Sequence, residues 1–296
     1  MTTTATVSVR ERTRAKSRVL LEALPYIRDH AGRVVVVKLG GATMEDPNLA
    51  ARFAQDVGLL RTVGIKPVVV HGGGPQVSAL SERLGLATEF RGGMRVTDEE
   101  TLRVAKMVLV GDINIHLVSA LNRAGTPAVG LAGDDANLLL ARKLEPGGED
   151  LGFVGEVTQV NTALLRHLME VAVPVVATVA TDGRGQSYNV NADPAAAAIA
   201  VALGAAKLVL LTDVPGLLVD GELVAELTVG EADAILASGV AEGGMEPKLR
   251  AAADAVRGGV GRAHIVDGRI EHSVVLELFT PEGIGTMLGP DGGGAP

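Results

Sequence analysis

The 296-residue sequence predicts an α/β protein in which a mostly parallel central sheet lies between layers of helices. Two valine runs, Val34 to Val37 and Val68 to Val70, contain no polar residue, as expected for strands that are covered on both faces. Each run ends in a glycine turn that is followed by a segment with helical periodicity. This alternation favours parallel strands, because parallel neighbours need a crossover connection.

The other elements continue the alternation. In order, we predict a strand over 34–39, a helix from Asn48 to Val63, a strand over 67–71, a helix from Gln76 to Leu84, a helix near Glu99–Ala124, a strand from Val173 to Val179, a helix from Asp193 to Leu203 and a strand from Lys207 to Leu211. The middle region from Glu89 to Gly155 is otherwise interrupted by glycines, which predicts short hairpins.

Composition argues against several classes of function. The chain has no cysteine, so disulfides and thiolate metal sites are impossible. A formal net charge of −8 and an aromatic content of 2% argue against a nucleic-acid surface, which needs clustered cations and stacking rings. The stretch from Pro194 to Leu211 is long enough to span a membrane, but Gly204 and Lys207 interrupt it, so we predict a helix followed by a strand.

The N-terminal segment 1–18 is rich in threonine and arginine and almost free of acidic residues. Organelle transit peptides share this composition, whereas the apolar core of a secretory signal is missing. Apolar residues at helical spacing follow from Val19 to Ile27. We therefore expect a frayed or functional N-terminal arm on a cytoplasmic protein rather than a cleaved peptide.

Two glycine turns predict an anion site. The first strand runs into Lys38-Leu39-Gly40-Gly41, and the second runs into His71-Gly72-Gly73-Gly74-Pro75. Glycine lets backbone N–H groups approach a ligand, and the helix beyond each turn adds unpaired N–H groups and the positive end of its dipole. Either turn alone is equally well explained as a tight turn. The pair, with Lys38 at the carboxyl end of a strand, favours phosphate binding.

The motifs of P-loop proteins, dinucleotide-binding folds and protein kinases are absent, which leaves phosphate handling by separate lysines. Lys248 follows a further glycine loop, Gly243-Gly244, and is the natural second cation beside Lys38. Arg95 has the fork that binds a carboxylate, although a structural salt bridge explains it equally well. Asp193, taken alone, is best explained as a helix N-cap.

Together these segments resemble the amino-acid kinase superfamily and, within it, the acetylglutamate kinase family, which phosphorylates the side-chain carboxylate of N-acetyl-L-glutamate to the 5-phosphate in arginine biosynthesis. The resemblance covers nearly the whole chain, from Leu24 to Thr286. The matching segments are Lys38-Leu39-Gly40-Gly41, His71-Gly72-Gly73-Gly74-Pro75, Arg95-Val96-Thr97, Asn189-Val190-Asn191-Ala192-Asp193, Leu211-Thr212-Asp213-Val214-Pro215-Gly216 and Gly244-Met245-Glu246-Pro247-Lys248.

The resemblance implies a role for each matched position. The catalytic positions would be Lys38, Lys248, Asp193 and Gly41, the acetylglutamate-binding positions Gly73, Gly74, Arg95 and Asn189, and the nucleotide-binding positions Thr212, Asp213, Gly216, Leu217 and Met245. The lysines would stabilise the transferring phosphoryl group, and Asp193 would orient them. ATP would be the co-substrate, with Mg²⁺ held mainly by its phosphates. No general base is needed, because the attacking carboxylate is already ionised at neutral pH.

The chain also resembles the arginine-inhibited branch of this family, in which an extra N-terminal helix links dimers into a hexamer. Here the helix would run from Arg14 to Asp29, and Pro25 is able to kink it. The resemblance implies an arginine site at Tyr26, His264, Glu277 and Gly283 and a homohexamer built as a trimer of dimers. A packed strand-edge histidine and a solvated helix glutamate are the structural alternatives for His264 and Glu277.

Four segments follow from the resemblance: an N-terminal arm and helix at 1–30, an acetylglutamate-binding lobe at 31–200, a nucleotide-binding lobe at 201–290 and a disordered tail at 291–296. An acylated-aminoadipate kinase is the nearest alternative, because one methylene in a pocket changes affinity by only about 1–3 kcal/mol. A non-catalytic arginine sensor is an alternative from another class. Binding of a PII-type regulator is left open by the sequence.

Overall fold

The computed structural model describes residues 21–41, 46–241, 243–280 and 283–292. The predicted arm at 1–18 and most of the predicted tail therefore lie outside the described residues. Of the predicted N-terminal helix, residues 21–30 are described, and they form a helix, α1.

A single eight-stranded sheet runs through the described part of the chain, in the order β14-β16-β15-β11-β1-β2-β8-β5. Its strands are β1 (Val34–Leu39), β2 (Lys66–His71), β5 (Ala128–Ala132), β8 (Val173–Ala177), β11 (Lys207–Thr212), β14 (Glu226–Thr228), β15 (Arg262–Asp267) and β16 (Thr286–Gly289). Strands β15, β11, β1, β2, β8 and β5 pair in parallel, and β16 runs antiparallel to β15. The prediction of a mostly parallel sheet is confirmed.

Helices cover both faces of this sheet. They are α2 (Pro47–Thr62), α3 (Gly74–Arg83), α4 (Glu99–Val108), α5 (Ile115–Arg123), α6 (Thr162–Val171), α7 (Ala192–Leu203), α8 (Val229–Ser238), α9 (Met245–Arg257) and α10 (Ser273–Phe279). Because side chains alternate along a strand, Val35 and Val37 pack in one core with α2, α4, α5 and α10, while Val34 and Val36 pack in another with α6 to α9. Lys38 belongs by the same alternation to the α7 side.

The middle region differs in part from its prediction. Strand β5 joins the main sheet beside β8 instead of forming a hairpin. A true hairpin does occur, between β3 (Phe90–Arg91) and β4 (Met94–Arg95). A small closed barrel is formed by β6 (Leu139–Lys143), β7 (Val154–Val160), β9 (Val179–Thr181) and β10 (Ser187–Val190), and a two-stranded sheet by β12 (Leu218–Val219) and β13 (Glu222–Leu223). Periodicity alone does not say which strands pair across long separations.

The long helix predicted near Glu99–Ala124 is interrupted. A π-helical turn, Leu109–Asn114, separates α4 from α5. By length and hydropathy, the whole stretch Glu99–Arg123 would pass as a membrane span, the one such stretch in the described ranges. Half of its most apolar window is buried inside the protein, as is usual for a core helix. The stretch Pro194 to Leu211 is a helix and then a strand, as predicted.

The boundary predicted near residue 200 falls inside α7, which runs from Ala192 to Leu203. The main sheet continues across it because β1 pairs with both β2 and β11. The division into two lobes stays a prediction. The disordered tail at 291–296 likewise stays a prediction. Of its residues, 291 and 292 are described, and the Asp291 side chain accepts a hydrogen bond from the Gly230 N–H at 2.8 Å.

Candidate active site

Two lysines converge on one buried carboxylate. Lys38 Nζ lies 2.7 Å from Asp193 Oδ1, and Lys248 Nζ donates a hydrogen bond to Asp193 Oδ2 at 3.1 Å. Both contacts are ion pairs with the same buried carboxylate. An ammonium group has three N–H donors, so a single contact to Asp193 leaves donors of Lys38 for another acceptor. These three side chains, called the lysine centre below, carry a formal net charge of +1, which favours an anion as their ligand.

Local structure explains why these three residues meet. Lys38 points from β1 toward α7, and Asp193 lies in the first turn of α7. The N-cap of that helix is Asn191, whose side chain accepts a hydrogen bond from the Asp193 N–H at 3.0 Å. The structural interpretation of Asp193 as the N-cap is therefore wrong, and its carboxylate is directed to the lysines. Lys248 lies near the start of α9, which packs against α7.

Electrostatics keep Asp193 ionised. Burial would raise the pKa of its carboxyl group, since a low-dielectric environment disfavours the charged form. The opposing charges of Lys38 and then Lys248, together with their contacts, outweigh burial, so the pKa lies below its ordinary value. A buried charge of this kind is retained only when cations pair with it.

Both glycine turns pass close to neighbouring groups, so a side chain would not fit there. A Cβ on Gly41 would lie 2.7 Å from Pro75 Cδ, and a Cβ on Gly73 would overlap Ile113 Cδ1. Gln76 bridges the two turns, because its Nε2 donates a hydrogen bond to the Gly41 carbonyl at 3.1 Å. The structure thus brings Gly41 and Gly73 together beside the first turn of α3, where backbone N–H groups lack helical partners.

The four predicted acceptor-binding residues form a second group. Arg95 Nη2 donates to the Gly74 carbonyl at 2.8 Å and to Ser78 Oγ at 2.6 Å, while its buried Nη1 has no hydrogen-bond partner within the described ranges. The guanidinium also lies 4.8 Å from the centre of the Phe90 ring. Burial lowers the pKa of Arg95 from its ordinary value. An unpaired guanidinium nitrogen in this position suits an incoming carboxylate.

Asn189 belongs to the same group through a threonine. Its Nδ2 donates to Thr97 Oγ1 at 3.3 Å, and that hydroxyl donates to the Arg95 carbonyl at 3.0 Å. Gly72 connects this group with the lysine centre, because a Cβ placed on it would lie 3.2 Å from Ala192 Cβ, next to Asp193.

The predicted nucleotide-binding residues follow β11 and begin α9. Gly216 has a φ of 152°, and Thr286 Oγ1 accepts a hydrogen bond from the Leu217 N–H at 2.8 Å. Thr212 donates to Asp213 Oδ1 at 3.2 Å. This loop lies beside the first glycine turn, since a Cβ on Gly40 would lie 2.9 Å from the Leu211 carbonyl oxygen. Met245, one turn before Lys248 on α9, is partly buried.

Comparison with known proteins decides the family. The model of the amino acid kinase family matches residues 33–267. The acetylglutamate kinase of Carboxydothermus hydrogenoformans is 47% identical over 288 residues, which cover 93% of this chain and 98% of that protein. The acetylglutamate kinase of Nostoc sp. is 48% identical over 285 residues, 95% of each chain. The chain belongs to the acetylglutamate kinases. It is therefore a kinase, as its sequence predicted.

Solved structures agree on the fold of this kinase. An N-acetylglutamate synthase from Neisseria gonorrhoeae, complexed with coenzyme A and N-acetyl-glutamate, matches 94% of the chain with a TM-score of 0.85 at 30% identity. The same synthase with coenzyme A and L-arginine matches with a TM-score of 0.80 at 29% identity. The kinase spans only 64% and 65% of those synthase chains. Carbamate kinase from Giardia lamblia shares the fold at 19% identity, with a TM-score of 0.63.

Of the predicted arginine-site residues, His264 and Glu277 lie on the face of the main sheet that carries α10, opposite to the face that carries Lys38 and α7. His264 Nδ1 and Glu277 Oε1 are 2.6 Å apart, and Glu277 Oε2 accepts the N–H groups of Ile284 at 2.7 Å and Gly285 at 3.2 Å. Gly283 has a φ of 61° and passes close to the same carboxylate. The solvated alternative for Glu277 is wrong, because Glu277 is buried. His264 is packed, as its structural alternative expects, but it lies in an interior strand of the sheet. Tyr26, on α1, packs against the core that contains α10.

Burial and the contact between His264 and Glu277 act together on the charges of this second cluster. Burial lowers the pKa of His264, although the Glu277 contact opposes the shift. The pKa of Glu277 is lowered, because the His264 contact and other groups outweigh the effect of burial. Burial also lowers the pKa of nearby Lys207 to about 8, against the attraction of Glu277.

Sequence reasoning missed several residues that support these sites. From the sequence, Ser78 and Gln76 are ordinary helix positions, and Lys207 is the first residue of a strand. Each acts through a partner far away in the chain, as Gln76 does with Gly41. Thr97 stands inside the matched segment Arg95-Val96-Thr97, which is a usable signal for it.

Proposed function

We propose that this kinase transfers the γ-phosphoryl group of ATP to the side-chain carboxylate of N-acetyl-L-glutamate, which gives N-acetyl-L-glutamyl 5-phosphate in arginine biosynthesis. The observation that carries the proposal is the convergence of Lys38 and Lys248 on buried Asp193 beside two glycine turns. Its relatives are named for this activity.

The charges explain what the protein must supply. Both the carboxylate nucleophile and ATP are anionic, so their approach is repulsive unless cations and N–H dipoles oppose the repulsion. Lys38 and Lys248 would stabilise the phosphoryl oxygens from two sides, and Asp193 would hold both lysines in place. Gly41 and Gly73 would donate N–H groups to the same oxygens. Positioning and charge stabilisation supply most of the rate in phosphoryl transfer.

The residues at this centre do not form a magnesium site of their own. Both oxygens of Asp193 face lysines, and no cluster of three or more metal-binding His, Asp or Glu side chains occurs within the described ranges. Magnesium prefers oxygen ligands such as phosphates and carboxylates. Mg²⁺ would therefore enter with ATP and be held mainly by its phosphates. Thr212, Asp213, Gly216, Leu217 and Met245 would bind the nucleotide.

The acceptor pocket would be built around Arg95. Its unpaired Nη1 would bind a carboxylate of acetylglutamate, while Nη2 stays on Gly74 and Ser78. Asn189, held by Thr97, would bind the acetylamino end, and Gly73 and Gly74 would contribute N–H groups. This division leaves the side-chain carboxylate of the substrate free to face the lysine centre.

Trapping of the acyl phosphate with hydroxylamine tests the proposal. Purified enzyme would be incubated with MgATP and, in parallel, with N-acetyl-L-glutamate, N-acetyl-L-2-aminoadipate, L-glutamate or L-aspartate. We expect hydroxamate to form fastest with N-acetyl-L-glutamate. A faster reaction with the aminoadipate derivative would reassign the acceptor. No hydroxamate with any acceptor, together with intact arginine binding, would instead support the sensor.

Arginine would inhibit the enzyme at the second cluster. Glu277 uses three of its roughly four lone-pair positions on His264, Ile284 and Gly285, which leaves one position on Oε1 for a guanidinium. Lys207 would attract the carboxylate of the inhibitor. The related synthase was solved with L-arginine, which supports a site of this type on the shared fold.

Glu277→Gln tests the arginine site, with Glu226→Gln as the matched control. Glu226 is 64% exposed and has one distant ionic contact, to Arg262 at 3.8 Å. We expect Glu277→Gln to raise the half-inhibitory arginine concentration at least tenfold, because an amide gives up the negative charge that attracts the guanidinium. Unchanged inhibition in Glu277→Gln would rule this site out.

A further inference from the structure

One buried histidine has no part in the chemistry described above. His71 ends β2 and is fully buried, between Leu39 on β1 and Ala177 on β8. Burial lowers the pKa of its imidazole to about 4, so the ring is neutral at physiological pH. The residue stands immediately before the glycine turn, which places it next to the proposed phosphoryl site.

The hydrogen bonds of Asn114 determine which ring nitrogen carries the proton. Asn114 Nδ2 lies 2.9 Å from the Val175 carbonyl oxygen and 3.0 Å from His71 Nε2. A carbonyl can only accept, so the amide nitrogen, rather than the amide oxygen, must face this pair. One N–H therefore binds Val175 and the other binds Nε2. The proton of the neutral ring is consequently on Nδ1.

From Nδ1 the ring donates to the Gly72 carbonyl oxygen at 3.0 Å. That carbonyl belongs to the same peptide unit as the Gly73 N–H. The chain has no cis peptide bond in the described ranges, and in a trans unit the C=O and N–H point in opposite directions. Holding the Gly72 carbonyl on the imidazole therefore turns the Gly73 N–H to the other side of the chain.

We propose that His71 and Asn114 are positioning residues that fix the Gly72–Gly73 peptide so that the Gly73 N–H faces the transferring phosphoryl group. The inference rests on the proposed function, because it takes the role of Gly73 from it. The peptide would otherwise be free to rotate, since glycine restricts its neighbouring dihedrals least of all residues.

The hydrogen bonds of His71 and Asn114 also explain why a π-helical turn separates α4 from α5. Its last residue is Asn114, and Leu109 and Ile113 from the same turn pack on Gly73 where a Cβ would otherwise be. The Asn114 side chain also reaches so close to Gly130 that a Cβ there would overlap its Oδ1. Single π turns inside helices are frequent at functional sites. Here the turn brings one side chain to His71 and two against the glycine turn.

Two substitutions separate positioning from simple packing. In His71→Asn the side-chain amide nitrogen takes the position of Nδ1, so the hydrogen bond to the Gly72 carbonyl is kept. In His71→Gln the amide extends to the position of Nε2, so the hydrogen bond to Gly72 is lost. We expect kcat of His71→Asn to stay within threefold of wild type and kcat of His71→Gln to fall at least tenfold, with the KM for ATP within threefold in both. His167→Gln, an exposed histidine on α6, is the control. Equal kcat values for the two His71 variants would overturn the proposal.

A spectroscopic test of the wild-type enzyme depends neither on turnover nor on the folding of a variant. In the ¹⁵N-labelled wild-type enzyme at neutral pH, the His71 ring should show a protonated Nδ1 and an unprotonated Nε2. Asn114→Asp, which can only accept, should move the proton to Nε2. A wild-type ring protonated on Nε2 or on both nitrogens would overturn the proposal. If the tautomer is as expected but wild type forms no hydroxamate with any acceptor, the proposed function fails while the hydrogen-bond arrangement stands.

Discussion

Asp193 is a buried carboxylate that two lysines share, and its removal should affect both lysines. Breaking a buried ion pair by removing one partner typically costs about 3–5 kcal/mol, because the remaining charge is left uncompensated. The pKa of Asp193 is lowered, so its stabilising contribution is fully present above the unfolded-state pKa and is lost as the pH falls through the folded-state value. The lysine centre should therefore persist throughout the neutral range.

Arg95→Lys should weaken acceptor binding specifically. Lysine cannot hold Gly74 and Ser78 with one nitrogen while it offers a second to a carboxylate. We expect the KM for acetylglutamate to rise at least tenfold, about 1.4 kcal/mol, with the KM for ATP within threefold. Initial rates at varied acceptor concentration measure this. Arg91→Lys, on the same hairpin but exposed, should leave both constants unchanged, and an equal rise there would contradict the assignment.

His71 should make stability depend on pH. Its pKa is about 4 when folded and 6.5 in the unfolded reference, so the unfolded chain binds a proton between these values that the folded chain does not. Stability is retained above pH 6.5 and falls as the pH drops toward 4. Between pH 7.5 and 5, wild type should lose about 2 kcal/mol more free energy of unfolding than His71→Asn. Denaturant unfolding at both pH values measures this, and parallel losses would contradict it.

The sequence predicted the side chains proposed to bind substrates better than it predicted the residues that position them. Lys38, Lys248 and Arg95 stand in recognisable glycine or basic segments. The role of Asn114 could not be predicted from the sequence. It depends on an irregular helical turn that places Asn114 beside His71, a strand residue 43 positions earlier in the chain. The capping assignment of Asp193 failed for a related reason, since Asn191 satisfied the helix end and freed the carboxylate.

At the scale of elements, the start of α7 positions the lysine centre. Asn191→Ala removes the cap and should cost about 1 kcal/mol of stability. The lost cap also loosens the turn that carries Asp193, so we expect kcat to fall at least threefold.

Thr228→Ala is the matched control for this variant. Thr228 forms a capping box with Glu231 at the start of α8, away from the lysine centre. We expect a similar loss of stability, about 1 kcal/mol, with kcat unchanged. Thermal unfolding and initial rates measure both effects. A fall in kcat of the same size in both variants would show that general destabilisation, and not the position of Asp193, is responsible.

The sequence predicts whether a segment is a helix or a strand better than it predicts which strands pair with each other. The valine strands and the helices that follow them appear where periodicity placed them, because buried parallel strands are apolar throughout. Strand β5 was assigned to a hairpin because glycines flank it, yet it pairs with β8, more than forty residues later in the chain. Pairing across such a distance is decided by tertiary packing rather than by local sequence.

At the scale of the whole molecule, the sequence predicts a hexamer built as a trimer of dimers that the N-terminal helix links, and this stays a prediction. Met107 on α4 and Ile115 on α5 are 53% and 60% exposed, and an apolar contact between copies would cover them. The helix α1 packs against the core that contains α2, α4, α5 and α10. A trimer of dimers needs two separate contact surfaces.

Deletion of residues 1–28 should separate these two contacts. We expect light scattering to give a mass near six times the 30.3 kDa chain for the full-length protein and near twice that value for the deletion. Arginine inhibition should weaken in the deletion, since Tyr26 is removed. An unchanged mass would contradict the role of the helix in assembly.

The most direct test of the lysine centre is the steady-state kcat of Lys38→Met, with MgATP and N-acetyl-L-glutamate both saturating. Lys143→Met serves as the control, because Lys143 is an exposed lysine paired with Asp150 outside the site. If Lys38 stabilises the transferring phosphoryl group, kcat should fall by about a hundredfold or more while the KM for ATP changes less than threefold. A kcat equal to that of Lys143→Met would contradict the account, and phosphoryl transfer would then have to depend on other residues.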